Sequence, residues 1–188
     1  MERKAKDMKQ FVEDQMTNYS ERITFGATDL NKAIGKANKF GLPLAILFTS
    51  KPRTAPMTKF LSTELRRRML IAEVPPTTNN KKLMQQFGIS SASDKDSLPL
   101  LVVFPSPEDG SGMIPSADAI GGDHAAIIRY EEKEFSQRKI HKFLSKHALS
   151  EPVYKARDDE AEKLGKASAE EQATESDSKR NKPQHVEL

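Results

Sequence analysis

The chain has 188 residues, enough for one domain with a substantial core and some trailing sequence. Its 30 basic and 27 acidic residues are mixed along the chain and leave a formal charge of +3, too weak a field to favour nucleic acid, and zero cysteines exclude disulfides, thiolate zinc sites and thiol catalysis. No apolar run approaches the length needed to cross a bilayer, so no membrane insertion is expected, and the opening Met1-Glu2-Arg3-Lys4-Ala5-Lys6-Asp7 is too polar for a signal peptide.

Met8, Phe11, Val12 and Met16 share one face of a short leading helix. Arg22-Ile23-Thr24-Phe25 reads as a short strand. Leu30, Ala33, Ile34 and Ala37, spaced by three and four, predict a helix from Asp29 to Lys39, stopped by Gly41 and Pro43. Leu44 to Phe48 is a continuous apolar run, as in a strand covered on both faces. A loop with Pro52 and Pro56 follows, and Pro56 is suited to open a helix whose buried stripe is Met57, Phe60, Leu61 and Leu65. Arg66-Arg67-Arg68 falls at the predicted last turn, where cations complement the helix dipole; that reading is preferred to a phosphate site.

Met69 to Val74 predicts another buried strand, and Asn80 to Phe87 a helix ended by Gly88. The polar stretch from Ser90 to Ser97 reads as a loop. Leu100 to Phe104 and Ala126 to Tyr130 are the last two strands, joined by a connection rich in Pro, Gly and Ser. A final helix begins at Ser136 as N-cap, with Phe135 and Ile140 as a hydrophobic staple and Ile140, Phe143, Leu144 and His147 on its buried face. Helices between successive strands imply parallel crossovers, while the last two strands, with no helix between them, are free to pair antiparallel. The expected class is α/β, a mixed central sheet with helices on both faces.

After Leu149 large apolar residues almost vanish, so residues 150–188 are expected to be a disordered charged tail, with transient helix from Asp158 to Glu171. The predicted organisation is an amphipathic helix over residues 1–19, one domain over 20–149, and the tail. Chemistry-bearing clusters are few. His124, His141, His147 and His185 have no metal-ligand spacing, and Gly121-Gly122 lacks the context of a phosphate loop, so no metal or cofactor is expected. Thr54 or Ser50 as a nucleophile needs a base, and no neighbouring His or paired carboxylate is evident. The chain is expected not to be an enzyme.

Four features together resemble the thioredoxin fold: the order of elements, the apolar strand Leu44 to Phe48 with its loop and helix, the ending Lys82-Leu83-Met84-Gln85-Gln86-Phe87-Gly88-Ile89, and Pro99 ahead of the strand at Leu100. The stretch from Phe11 to Leu149 is similar to the thioredoxin-like region that follows a J domain in fungal proteins of the endoplasmic reticulum, relatives of the protein disulfide isomerases. The resemblance implies a Cys-x-x-Cys pair after the central strand. The matching window here, Lys51, Pro52, Arg53, Thr54, Ala55 and Pro56, holds no sulfur. It also implies a cis bond between Leu98 and Pro99 beside that window. Together these residues are expected to bind an extended peptide by apolar contact and strand-like hydrogen bonds.

The ending His185-Val186-Glu187-Leu188 resembles the His-Asp-Glu-Leu retrieval signal of the lumen of the endoplasmic reticulum, with Val in place of Asp. Retrieval requires entry into the secretory pathway, so the chain is expected to be a fragment whose N-terminal part has been removed. The expected function is that of a redox-inactive co-chaperone domain that binds unfolded or partly folded polypeptides. An Hsp70-type chaperone would be engaged through a J domain that this chain lacks, since no His-Pro-Asp motif is present. The alternative expectation is a structural spacer with a vestigial groove.

Overall fold

Strands Glu21–Arg22 (β1), Leu44–Phe48 (β2), Leu70–Val74 (β3), Leu100–Phe104 (β4) and Ile128–Arg129 (β5) form one sheet in the order β1-β3-β2-β4-β5. The helices are Ala5–Gln15 (α1), Ala27–Phe40 (α2), Pro56–Glu64 (α3), Lys81–Gln86 (α4), entered through a 3₁₀ turn at Thr78–Asn80, and Gln137–His147 (α5). These elements come from a computed structural model that describes residues 5–90, 98–106, 113–120, 127–132 and 134–156. The described residues up to Tyr154 form one compact unit.

Alternation along β2 builds two cores. Leu44, Ile46 and Phe48 face α2 and α4 through Leu30, Ile34, Leu83 and Phe87, while Ala45 and Leu47 face α3 and α5 through Leu61, Leu65, Ile140 and Leu144. Every residue of β2 and β3 is buried, which is why β2 reads as a continuous apolar run and β3 as one broken only by Glu73. The rings of Phe48 and Phe87, both fully buried, lie 4.7 Å apart and join α4 to the sheet.

β3 runs parallel to β1 and β2, whereas β4 runs antiparallel to β2 and to β5. The reversal at β4 corrects the expectation of parallel crossovers around every intervening helix. α4 has six residues, about 9 Å, against about 16 Å of strand, so it does not return the chain along the sheet. β4 therefore starts at the end where β3 stopped: Leu100 and Val74 both pair with Phe48. This mixed sheet with α2 and α4 on one face and α3 and α5 on the other is a thioredoxin-like fold.

Several boundaries differ from the predicted ones. β1 ends at Arg22 because the Thr24 and Phe25 N–H groups turn away to the Asp29 carboxylate, at 3.0 and 2.9 Å. The same bonds hold the Asp29 pKa at about 2, below the ordinary 3.8, with the Phe25 bond as the largest cause. α3 stops at Glu64, so residues 66–68 lie in the turn beyond it, and Phe60 is exposed rather than part of the buried stripe. Of the described part of the predicted strand, residues 127–130, β5 keeps Ile128 and Arg129, although the Tyr130 N–H still reaches the Leu101 carbonyl at 3.0 Å. Ser136 holds the N-cap position of α5 in extended backbone, but its side chain makes no capping hydrogen bond.

The packed chain also continues beyond Leu149, where the tail was expected to begin. The Val153 N–H donates to the Arg67 carbonyl at 2.9 Å, and Val153 packs on the α2–α4 core. The expected tail beyond residue 156, including His185, Val186, Glu187 and Leu188, lies outside the described residues, as do residues 91–97, Gly121, Gly122 and His124.

Candidate functional site

β2 ends at Phe48, and the Thr49 N–H donates to the Val74 carbonyl at 3.1 Å before the chain leaves the sheet. The Lys51 N–H then donates to the Thr49 hydroxyl at 3.1 Å. Pro56 takes the first turn of α3, where its missing N–H costs no hydrogen bond, and its fixed φ sets the direction of the helix. Lys51, Pro52 and Arg53 are exposed; Thr54, Ala55 and Pro56 are half-buried.

Beneath the loop lies a polar network that the sequence did not disclose. Glu73, on β3, is 1% exposed in an otherwise apolar strand. The Thr54 hydroxyl donates to Glu73 Oε2 at 2.5 Å and accepts from Arg22 Nη1 at 3.1 Å. Arg22 Nη1 stands 3.6 Å from the same carboxylate oxygen, and its Nη2 donates to the Pro52 carbonyl. A carboxylate this deeply buried requires a partner, and Arg22, one-third exposed, supplies it while clamping the loop backbone. Thr54 thus does have a carboxylate at hand, contrary to the sequence reading. Its hydroxyl is spent between Arg22 and Glu73, an arrangement that fixes the loop in place. The one detectable signal was Glu73 itself, a charge inside the otherwise apolar stretch from Met69 to Val74.

Above the loop a groove of about 680 Å³ opens, walled by Lys51, Pro52, Arg53, Thr54, Ala55 and Pro56 on one side and by Gln10, Glu13 and Asp14 of α1 on the other. Polar bonds join the α1 segment to α3. Lys59 Nζ donates to the Glu13 carbonyl at 2.6 Å, and the Tyr19 N–H donates to the Ser62 hydroxyl at 3.0 Å. The apolar face predicted for α1 is not packed inward: Met8, Phe11 and Val12 are 50%, 66% and 61% exposed.

The peptide bond between Leu98 and Pro99 is cis. The register of β4 on β2, with Leu100 opposite Phe48, places this dipeptide at the same end of the sheet as the loop, adjacent to Thr49. Leu98 and Pro99 do not line the groove with residues 51–56. The Leu98 side chain belongs to the α2–α4 core, so it presents backbone only, whereas Pro99 is exposed. The three arginines after α3 go separate ways. Arg68 Nε donates to the Leu149 carbonyl at 2.6 Å, the Arg66 guanidinium lies 4.1 Å from the centre of the Tyr19 ring, and that of Arg67 lies 4.4 Å from the Tyr154 ring. Among the described residues no group of His, Asp and Glu side chains is arranged to hold a metal ion. No described helix is long and apolar enough to cross a membrane.

No protein-family model matches this chain, and no curated protein does. Solved thioredoxin-like structures resemble it. The crystal structure of ERdj5 in form II is 13% identical over 77% of this chain and 17% of its own, with a TM-score of 0.45. The J-Trx1 fragment of ERdj5 is 18% identical over 69% of this chain and 50% of the fragment, at 0.42. The first two thioredoxin domains of Naumovozyma dairenensis Eps1p are 13% identical over 76% of this chain and 62% of theirs, at 0.43. The chain spans half or less of the two ERdj5 structures.

Proposed function

We propose that this domain binds extended, unfolded polypeptide segments in the groove between α1 and residues 51–56, without redox chemistry, as part of a co-chaperone in the lumen of the endoplasmic reticulum. One observation carries the reading. The loop that would hold a reactive cysteine pair has none, yet Arg22, Thr54 and Glu73 hold it firmly from below while its upper side lines an open groove. Preorganised backbone lowers the ordering cost of binding, which matters for a partner that itself gives up chain entropy. The partial likeness to the ERdj5 and Eps1p structures, together with the ending His185-Val186-Glu187-Leu188, supports the location.

The test is an NMR titration with a blocked, unstructured peptide of about fifteen residues rich in Leu, Phe and Val. Saturable shifts are expected at the amides of Glu13, Arg53, Thr54 and Ala55. A fully folded domain that shows none at millimolar peptide would refute the binding role and leave a spacer. Location is tested separately: with the protein routed into the secretory pathway, deleting residues 185–188 should release it to the medium.

A further inference from the structure

A second cavity, of about 340 Å³, lies at the opposite end of the sheet from the loop, where β2 and β3 begin. Phe40, Leu42, Leu70 and Ile71 give it an apolar lining, and Lys36, Arg66 and Arg67 give it cations. Lys36 is already ion-paired with Glu21. The two arginines are not paired in this way: among the described residues neither forms an ion pair with a carboxylate.

Each instead lies against a tyrosine that also lines the cavity, Arg66 on Tyr19 and Arg67 on Tyr154. A guanidinium held over an aromatic ring is positioned by it, and a cation–π contact does not itself use the N–H donors. Arg66 gives one of its five to the Tyr19 hydroxyl, at 3.0 Å. The backbone contributes as well. Arg67 has φ 64, in the left-handed region that a residue with a β-carbon rarely occupies. The Val153 N–H on the Arg67 carbonyl and the Arg68 N–H on the Leu65 carbonyl, at 2.9 and 3.0 Å, hold that turn. This geometry sends two consecutive arginines to two different tyrosines around one cavity.

We infer that this cavity is a second binding site, which receives an acidic side chain beside an apolar one from an extended peptide segment. The carboxylate meets the N–H donors of Arg66 and Arg67, a charge-assisted recognition suited to guanidinium forks, and the apolar neighbour packs on half-buried Phe40 beside Leu42, Leu70 and Ile71. The volume sits at the small end of the about 300–1,000 Å³ typical of binding cavities, room for one or two side chains. The site is independent of the groove at residues 51–56.

An NMR titration of the full chain tests it with three probes: a blocked hexapeptide of alternating Glu and Leu, its Gln–Leu counterpart, and inorganic phosphate. The Glu–Leu peptide is expected to shift the amides of Arg67, Ile71 and Val153 and to weaken with added salt. Arg66→Gln and Arg67→Gln should each weaken it about five-fold with unchanged circular dichroism. Arg66, exposed in ordinary backbone, keeps the test valid should the residue-67 variant fail to fold. Equal binding of the Gln–Leu peptide, undiminished binding to R66Q, or shifts confined to residues 51–56 would each overturn the inference. Phosphate that reproduces the same shifts as strongly would also overturn it, by showing an anion site in which the apolar lining plays no part.

Discussion

The Thr54 hydroxyl donates to the Glu73 carboxylate at 2.5 Å, tying the loop after β2 to a strand that is otherwise wholly apolar. The bond sits within a cluster whose members have unequal access to water: Glu73 is 1% exposed and the Arg22 side chain 33%.

That inequality predicts an asymmetry. Arg22→Ala strands a buried carboxylate and should cost about 2–3 kcal/mol, whereas Glu73→Gln leaves an arginine that water can reach and should cost about 1 kcal/mol. Urea unfolding measures both. Arg22→Ala should also speed amide hydrogen exchange at Arg53 and Thr54, because the clamp on the Pro52 carbonyl is lost.

Asn80, fully buried, accepts from the Gly26 N–H at 3.0 Å and donates from Nδ2 to the Ile23 and Pro75 carbonyls, each at 2.8 Å. Asn80→Ala leaves three buried backbone groups without that partner and should cost about 2–4 kcal/mol. Gly26→Ala should be similarly damaging, because φ is +57 and a Cβ there would stand 2.7 Å from the Asn79 carbonyl oxygen. Thermal unfolding reads both, and the Asn80 and Gly26 effects should be less than additive, since they report one junction.

Acid stability carries a signature of Asp29. Its pKa is about 2 in the folded chain against an ordinary 3.8, so the ionised carboxylate favours the folded state. This contribution is present in full above the unfolded value and is lost as pH falls from about 4 toward 2. Asp29→Asn should flatten the fall in stability across that window, which urea midpoints at stepped pH will show.

The domain boundary is testable by truncation. A chain ending at Leu149 loses the bond from Val153 to Arg67, the burial of Val153 on the core and the ring of Tyr154 against Arg67. It should be less stable than a chain ending at residue 156 by about 2–3 kcal/mol. Equal melting temperatures would place the domain's end at Leu149, as the sequence alone suggests.

Local pattern was enough to read the elements. Helices α2, α3 and α5 announce themselves by apolar residues spaced at three and four, β2 and β4 by unbroken apolar runs, and β3 by a run interrupted only at Glu73, because a strand covered on both faces admits little else. The loop at residues 51–56 and its lack of sulfur are equally plain in the residues. What lies beneath and beside that loop was decided by tertiary structure. Glu73 meets Arg22 only because β1 pairs with β3, with Arg22 opposite Glu73. Arg66 to Arg68 read locally as a cationic helix end, but a left-handed residue after Glu64 sends them to Tyr19, Tyr154 and Leu149. Periodicity reports which face of an element is apolar; it carries no information about which distant residues a sheet register or a turn brings together, and the clamp, the groove and the second cavity are all built from such meetings.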